Sequence, residues 1–450
     1  MRQTWLFWLL FTLLILLPLL IRQLHKLGKP QNSQLKSAST PKPRKLKPKT
    51  DKDCPCCRAE ISGGPHPQVS CPDHIIPWSM RKGPGGKKKS IPTQGYFCSN
   101  PHCYYYLLDD QNIHALVGFG THGKYESIQD LRCQFCRKKF TVRRHTVLYR
   151  LKTLSTTVAK VLHLLAAGLD VSAVEEVFRI RESTVRTWLT RGGSHGQKLH
   201  QRFFANLELA HVQLDELWAN IKRSDQDVWV WVACEAKSKL IPVLQLGPRT
   251  QEMAYSVVHE LKSRLKPGCI PVFSSDGLKH YFYALTAHFG EWIKPDDQTK
   301  PIWMIMTDFA YAQVIKQQRR FRLIKVEHRN IWGTASEYVL RLKANGLSGK
   351  INTSFVERVN LTIRQGVSKL TRRTWGPAQF TSELSEHLYW WLAYYHFART
   401  HESLCVKLEK PITRKGKQLH RRYQKMTPAL AAGLTTRRWS VLQVISYPLP

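Results

Sequence analysis

The chain has 450 residues, which is enough for two or three domains. Its 69 Lys and Arg outnumber its 32 Asp and Glu, and a formal net charge of +37 argues against an enzyme of small molecules. Because lysine and arginine release counterions when they neutralise phosphates, this excess indicates a nucleic-acid partner. Hydrophobic residues make up 42% of the chain, which excludes a basic disordered protein.

The first segment, 1–30, is apolar from Trp5 to Ile21 apart from Thr12 and Pro18. This is near the lower length limit for a membrane helix, and no small-residue cleavage site follows. The lysine-rich run after it would leave the bulk of the chain in the cytoplasm. The alternative is upstream sequence included by a misplaced start codon. We therefore expect a cytoplasmic protein at the nucleoid, either free or tethered to a membrane through residues 5–21.

A basic linker is predicted at 31–52, and a zinc-binding region at 53–150 follows it. Cysteine pairs in a reducing cytosol indicate zinc rather than disulfides. Two knuckles, Cys98 with Cys103 and Cys133 with Cys136, are expected to form a four-thiolate zinc ribbon. Basic residues after the second knuckle are predicted to contact DNA, namely Arg137, Lys138, Lys139, Arg143 and Arg144. The alternative is a purely structural zinc with an incidental basic edge.

Four further residues could hold a second zinc, namely Cys54, Cys57, Cys71 and His74. Cys56 lies inside the first of these pairs and could replace a neighbour. The competing arrangement joins Cys54 and Cys57 to one of the later knuckles. One or two zinc ions per chain are therefore expected.

A helix-turn-helix DNA-binding domain is predicted at 151–207. Its first helix spans Val171 to Phe178, and its second begins at Glu182, with Ser183 or Glu182 as the cap. The second helix directs three side chains inward, namely Val185, Trp188 and Leu189. Four others are left to face a major groove, namely Thr184, Arg186, Thr187 and Arg191. The alternative is a plain helical hairpin.

A catalytic domain is predicted at 208–405, with an insertion at about 290–349 and a basic tail at 406–450. Three apolar strands (LAHVQLDEL, VWVWVACEA and LIPVLQL) precede a helix from Gln251 to Leu265, a fourth strand (IPVFSSDG) and a second helix. This order is the core of a ribonuclease-H-like fold. The expected fold class is thus multidomain, with a zinc ribbon, an all-α helix-turn-helix and an α/β ribonuclease-H-like domain that carries an insertion.

Three acids are the candidate catalytic residues: Asp215, Asp276 and Glu357. Asp215 interrupts an apolar strand, where an unpaired carboxylate is costly. Asp276 precedes Gly277, which permits close approach of a substrate. Three such carboxylates can hold two Mg²⁺ (or Mn²⁺) ions for phosphodiester chemistry. Two other acids are less attractive, because Glu216 should point to the opposite strand face and Asp225 should lie in a hairpin turn.

These motifs resemble those of insertion-sequence-one transposases. The similarity lies in LDELW, in SDG with a nearby Tyr, in VERVNLTIRQ and in the aromatic-rich SELSEHLYWWLAYYHFARTHESL. It extends from about Cys98 to Leu404. It implies a DDE-type transposase that uses magnesium to cut element ends and join 3′-hydroxyls to target DNA. The family's three acids map onto Asp215, Asp276 and Glu357, and its Arg and Asn positions map onto Arg358, Asn360 and Arg364.

Two features depart from the family pattern, namely the long interval between Asp276 and Glu357 and the apolar N-terminus. The expected partner is double-stranded DNA, at element ends and at the target. A homo-oligomer on DNA is also expected, because transposition brings two ends together. Two alternatives stay open: an inactive DNA-binding remnant of a transposase, and a nuclease anchored to a membrane through residues 5–21.

Overall fold

The computed structural model describes Trp78, 91–296, 300–320, 322–372, 374, 376–409 and 423–449, together with the backbone of 413–414 and 417–418. The chain divides into two units, Met1–Ile75 and Ile76–Pro450, and every described residue belongs to the second. The apolar segment, the basic linker and the second group of zinc candidates (Cys54, Cys57, Cys71 and His74) lie outside the described residues. Within the described part of the chain, no helix combines the length and hydropathy that a membrane span requires.

A small antiparallel sheet opens the described part. A short helix, α1 (Asp110–Ile113), is followed by strands β1 (Leu116–His122), β2 (Ile128–Cys133) and β3 (Lys139–Thr141). The buried carboxylate of Asp110 accepts hydrogen bonds from the Thr93 hydroxyl (2.5 Å) and the Leu116 amide (2.9 Å). These bonds fasten the loop before α1 to the first strand.

Three helices follow: α2 (Ser155–Ala166), α3 (Val171–Phe178) and α4 (Glu182–Phe203). The predicted first helix of the helix-turn-helix is confirmed as α3, and the predicted inward residues of α4 are buried, namely Val185, Trp188 and Leu189. The predicted cap is wrong. Arg181 occupies the N-cap position without a side-chain bond, and the Glu175 carboxylate accepts the Glu182 amide (2.9 Å) instead.

The second helix also continues further than the sequence suggested, because its glycines are packing positions. A Cβ on Gly193 would lie 2.4 Å from the Glu386 carbonyl oxygen, and one on Gly196 would lie 2.3 Å from that of Tyr389. Both carbonyls belong to a later helix, α9 (Thr381–Ala393). The absence of side chains lets the two helix backbones approach closely, which offsets the low helix propensity of glycine. The second half of the predicted helix-turn-helix domain is therefore one continuous helix.

The predicted order of three strands, a helix, a strand and a helix is present in the structure. The elements are β4 (His211–Ala219), β5 (Val228–Glu235), β6 (Val243–Gly247), α5 (Gln251–Arg264), β7 (Val272–Ser275) and α6 (Lys279–His288). Two later strands, β10 (Ala310–Arg319) and β11 (Arg322–Trp332), complete a six-stranded sheet of order β11-β10-β7-β4-β5-β6. β7 runs parallel to both β4 and β10, whereas the β4–β5, β5–β6 and β10–β11 pairs are antiparallel.

The predicted insertion at 290–349 needs correction, because its middle belongs to the sheet. Only the hairpin of β8 (Gly290–Ile293) and β9 (Ile302–Ile305) forms a separate sheet. Residues 310–314 of β10 are buried, 310–313 pair with β7, and helix α7 (Ala335–Ala344) contacts β7. A parallel strand must be covered on both faces, and the apolar run FAYAQV meets that requirement.

Helix α8 (Ser354–Gly366) packs on β4 and β5, and α9 continues as a π-helical turn, Tyr394–Ala398. α9 also packs along α4, and the Trp390 indole donates to the Leu162 carbonyl of α2 (2.7 Å). Buried side chains of α2, α4, the sheet and α9 belong to one hydrophobic core. Residues 151–207 are therefore not a separate globule from the sheet.

The C-terminal segment is folded, so the predicted basic tail at 406–450 is wrong. β12 (Cys405–Lys407) pairs with β15 (Tyr423–Lys425), and β13 (Thr413–Arg414) pairs with β14 (Lys417–Gln418). Two short helices follow, α10 (Pro428–Ala431) and α11 (Val441–Ser446). Ser440 and Gln443 form a capping box at the start of α11, and Val444 and Ile445 enter the main core. The many basic residues of this region suggest a tail, whereas its few apolar residues pack into the core.

Candidate active site

The three predicted acids come from three different elements. Asp215 lies within β4, Asp276 directly follows β7, and Glu357 lies in the first turn of α8. Because Leu214 pairs with Ser275 in the parallel register, Asp215 and Asp276 occupy neighbouring positions on adjacent strands. All three line one cleft of about 670 Å³. The sequence therefore identified the acids that the fold brings to a common surface.

The tightest group of carboxylates includes an acid that sequence reasoning set aside. One oxygen each from Asp215, Glu216 and Asp276 lie within 4.8 Å of one another, close enough to share a metal ion. Glu357 is outside this group. Strand alternation suggested that Glu216 would point away from Asp215, but its longer side chain reaches the same group of oxygens. The two adjacent acids of the LDELW motif were the sequence feature that could have identified Glu216.

Glu216 is held by two partners and is mostly buried. The Arg249 Nε donates to Glu216 Oε1 (2.7 Å), and Arg249 Nη2 bonds the same oxygen. The Tyr281 hydroxyl donates to Oε2 (3.0 Å). The Arg249 guanidinium lies over the Trp229 ring, 4.9 Å from its centroid, and its Nη2 is 3.9 Å from Asp276 Oδ2. Glu216 therefore fixes a cation beside the cleft, although no sequence motif singles out Arg249.

The crowding of negative charge affects Asp215 most. Burial, followed by the charges of Glu216 and Asp276, raises the pKa of Asp215 to about 7 from its ordinary value of 3.8. Burial and the charge of Asp276 also raise the pKa of Glu216. Carboxylates crowded in this way favour either a proton or a cation, and a divalent metal ion supplies the larger charge.

Glu357 lies on the same cleft and is paired with a lysine. Lys316 Nζ, from β10, and the Thr353 hydroxyl each donate to Glu357 Oε1 at 2.5 Å. Both side chains of the ion pair are partly exposed. Lys316 was not singled out by the sequence, because its strand was interpreted as part of an insertion.

One buried side chain fixes the helix that carries Glu357. Gln213 lies two residues before Asp215 on β4, and its Oε1 accepts the amides of Phe355 and Val356 at the start of α8, both at 3.0 Å. Its Nε2 donates to the Asn352 carbonyl (2.8 Å). These bonds satisfy amides that the first turn of a helix leaves without partners. The spacing between Asp215 and Glu357 therefore depends on Gln213.

We expect Gln213→Leu to lower the free energy of unfolding by about 3 kcal/mol, because two buried helix amides and a carbonyl lose their partner. Displacement of α8 should also weaken Mn²⁺ binding about tenfold, which calorimetry can measure. The matched control is Gln313→Leu, since Gln313 is buried on β10 of the same sheet and its side chain donates to the Tyr311 hydroxyl (2.8 Å). Equal Mn²⁺ affinity in both variants would contradict this role for Gln213.

No protein-family model matches this chain, and no match was found among curated proteins.

The three residues predicted to position phosphates after Glu357 have different environments. Arg358 is exposed and available to a ligand. Asn360 instead contacts the acids: its Nδ2 donates to Asp215 Oδ2 (2.9 Å), and its buried Oδ1 has no partner. The Arg364 guanidinium is half-buried against the carbonyls of Leu370 and Trp218. Asn360 therefore orients Asp215, and Arg364 is committed largely to the fold, whereas their direct contact with DNA stays a prediction.

The four predicted zinc ligands of the ribbon converge. Their sulfur atoms all lie within 4.8 Å of one another, with Cys98 Sγ 3.6 Å from Cys136 Sγ and Cys103 Sγ 3.8 Å from Cys133 Sγ. Sulfurs around a tetrahedral zinc are about 3.8 Å apart, given a Zn–S bond of about 2.3 Å. A hydrogen bond from Cys98 is the main cause that lowers the pKa of Cys133 to about 5. This geometry and chemistry could hold one zinc ion.

The basic residues after the second knuckle do not form one surface. Arg137, Lys138 and Lys139 are exposed, and Lys139 Nζ lies 3.8 Å from the centroid of the Phe119 ring. Arg144 is half-buried. Arg143 is buried and pairs with Glu126 (2.6 Å), whose carboxylate also accepts the Ser155 amide at the start of α2. The prediction of DNA contact is therefore wrong for Arg143, which joins the ribbon to the first helix.

Of the predicted groove-facing residues of α4, three are exposed, namely Arg186, Thr187 and Arg191, and Thr184 is partly exposed. Arg186 pairs with Glu182 one turn earlier (3.2 Å), and Arg191 donates to the Tyr149 carbonyl (2.9 Å). Both contacts are at the surface, where exchange for phosphate contacts costs little.

Proposed function

We propose that this protein is a metal-dependent DNA strand-cleavage and strand-transfer enzyme, a DDE-type transposase with a ribonuclease-H-like catalytic sheet. The observation that carries the proposal is the cleft in which Asp215, Asp276 and Glu357, from three elements, face one another beside the buried Glu216. The sheet supports it, since its central strand β4 pairs antiparallel with β5 and parallel with β7, and the order of three strands, a helix, a strand and a helix is the core of a ribonuclease-H-like fold.

Asp215, Asp276 and Glu357 would hold two Mg²⁺ or Mn²⁺ ions, which activate a water or 3′-hydroxyl and stabilise the leaving oxygen. Asn360 orients Asp215, and Gln213 fixes α8 relative to β4. Both oxygens of Glu216 already accept hydrogen bonds from Arg249 and Tyr281, so Glu216 contributes charge and places Arg249 beside the cleft. Arg249 is then positioned to contact a phosphate.

The proposal includes a zinc ion in the ribbon, double-stranded DNA at element ends and target, and a homo-oligomer that holds two ends. The exposed cations of the ribbon and of α4 support the DNA partner, and the net charge of +37 agrees with it. We place the protein at the nucleoid for the same reason.

The test is incubation of the full-length protein with DNA flanking its own gene, with Mg²⁺ or Mn²⁺ added and with Asp276→Ala as the control. We expect defined cuts at the element boundary that require both the metal and Asp276. Specific binding without cutting by the unaltered protein would overturn the catalytic proposal and favour an inactive DNA-binding remnant.

A further inference from the structure

The hairpin formed by β10 and β11 extends well beyond the body of the sheet. β10 pairs with β7 only over Ala310–Gln313, and its remaining residues pair only with β11. Within the described residues, nearly every position from Lys316 to Val326 is exposed. A two-stranded hairpin without packing is marginally stable on its own, so a long projecting one suggests a partner. We name residues 315–326 the basic ribbon.

The basic ribbon has five cations and no acid, namely Lys316, Arg319, Arg320, Arg322 and Lys325. Lys316 pairs with Glu357, whereas the other four make no ion pair within the described part of the chain. The charge of Lys325 acts on the nearby Glu327, so the uncompensated cations are the three arginines near the tip. Like charges on neighbouring strands destabilise the free hairpin. A polyanion would remove that cost.

The tip of the basic ribbon is conformationally strained. Arg319 pairs with Arg322 at the tip, and Arg320, in the turn that follows Arg319, has a φ of +48°. Such turns favour Asn and Gly, because other residues adopt positive φ at a cost. The turn therefore places the exposed side chain of Arg320 at the outer end of the hairpin.

The base of the basic ribbon lies at the acidic cleft. Val314, Ile315 and Lys316 line the cleft together with the three acids. A ligand that follows the ribbon from its tip therefore reaches the carboxylates directly.

We propose that the basic ribbon binds the DNA duplex next to the cleaved phosphodiester. Its width suits the major groove, which admits a two-stranded β-ribbon, with the cations on the phosphates. The exposed Leu323 and Ile324 would meet sugars and base edges. This inference rests on the proposed function only in taking DNA as the substrate.

The outer edge of β11 could instead pair with β11 of a second copy. An antiparallel two-fold pairing would bring Arg322 and Lys325 of one copy close to the same cations of the other. Like charges on neighbouring strands are destabilising, and charged edge strands resist pairing. The charge of the basic ribbon therefore favours DNA over a second copy.

The test compares two triple variants in the full-length Asp276→Ala protein, so that binding is measured without cleavage. One is Arg319→Gln/Arg320→Gln/Arg322→Gln, and the other replaces the same residues with Lys and keeps the charge. Affinity for a duplex of arbitrary sequence is measured by fluorescence anisotropy at several salt concentrations. For the Gln variant we expect the slope of log K against log salt to fall by about 0.9 per cation, with about 10²-fold weaker binding near 0.1 M salt. The Lys variant should keep the slope.

An unchanged slope in the Gln variant would overturn the inference, whether or not the protein cleaves DNA. A changed sedimentation coefficient of the DNA-free Gln variant, with an unchanged slope, would assign the basic ribbon to a second copy instead. Conversely, a reduced slope in a protein that never cleaves would support the ribbon and refute only the catalytic proposal.

Discussion

Asp215→Asn is expected to stabilise the protein while abolishing metal-dependent cleavage. The pKa of Asp215 is about 7 in the fold against an ordinary 3.8, so the folded state retains a proton that the unfolded state has lost in this range. The free energy of unfolding therefore falls as pH rises from about 4 through about 7. Asparagine does not titrate, so at pH 8 the variant should be more stable by about 2–4 kcal/mol, at 1.36 kcal/mol per pKa unit.

The measurement is urea unfolding of both proteins at pH 4 and pH 8 in buffer without magnesium, which leaves zinc in place. The stability difference should fall to about 0.6 kcal/mol at pH 4, where Asp215 is protonated in the folded state and about 40% protonated in the unfolded state. Asp225→Asn is the matched control, because Asp225 is exposed in the loop between β4 and β5, as its sequence predicted. Added Mn²⁺ should stabilise the unaltered protein and not Asp215→Asn. A variant less stable than the parent at pH 8 would contradict the carboxylate crowding.

Cys133→Ser is expected to lower the zinc content by one ion per chain and to unfold the ribbon of β1–β3. The strands have seven, six and three residues, and a sheet of this size buries too little to fold without its metal. Binding free energies of about 10–16 kcal/mol are typical of structural zinc, so no other single change should affect this region as strongly.

Elemental analysis would give the zinc content, and limited proteolysis would report new cleavage at 91–150. Cys405→Ser is the matched control, because Cys405 is exposed and distant in sequence from both knuckles. Equal zinc content in Cys133→Ser and the parent would refute the four-thiolate site. Because Arg143 links the ribbon to α2 through Glu126, the loss of zinc should also lower the stability of the adjoining helices.

Local patterns predicted most of the elements but few of the contacts between them. Residue periodicity alone predicts the apolar strands around Asp215 and Asp276 and the helix Val171–Phe178. The two cysteine pairs predict the convergence of the four sulfur atoms. Local patterns do not predict the role of Gln213, because a buried Gln on a strand can bind the start of α8 only once the fold brings α8 beside it. Arg249 and Lys316 are similar cases: each reaches its acid from a segment distant in sequence.

Two errors had the same physical origin. Glycine in a helix and cations in a terminal segment suggest disorder when each residue is weighed alone. Gly193 and Gly196 instead allow the close approach of α9, and the apolar Val444 and Ile445 hold the C-terminal segment in the core. In both regions tertiary packing outweighed local propensity.

The shared core of α4, α9 and the sheet bears on the distance along the DNA between the recognised sequence and the cut. A recognition helix on a flexible tether can accept several distances between its binding sequence and the cut. Here α4 continues for 22 residues into direct contact with α9, which packs against the sheet's core. In the proposed transposase, this core would therefore hold α4 at a fixed distance from the cleft. The number of base pairs between the recognised sequence and the cleaved bond should be a single value, set by the protein.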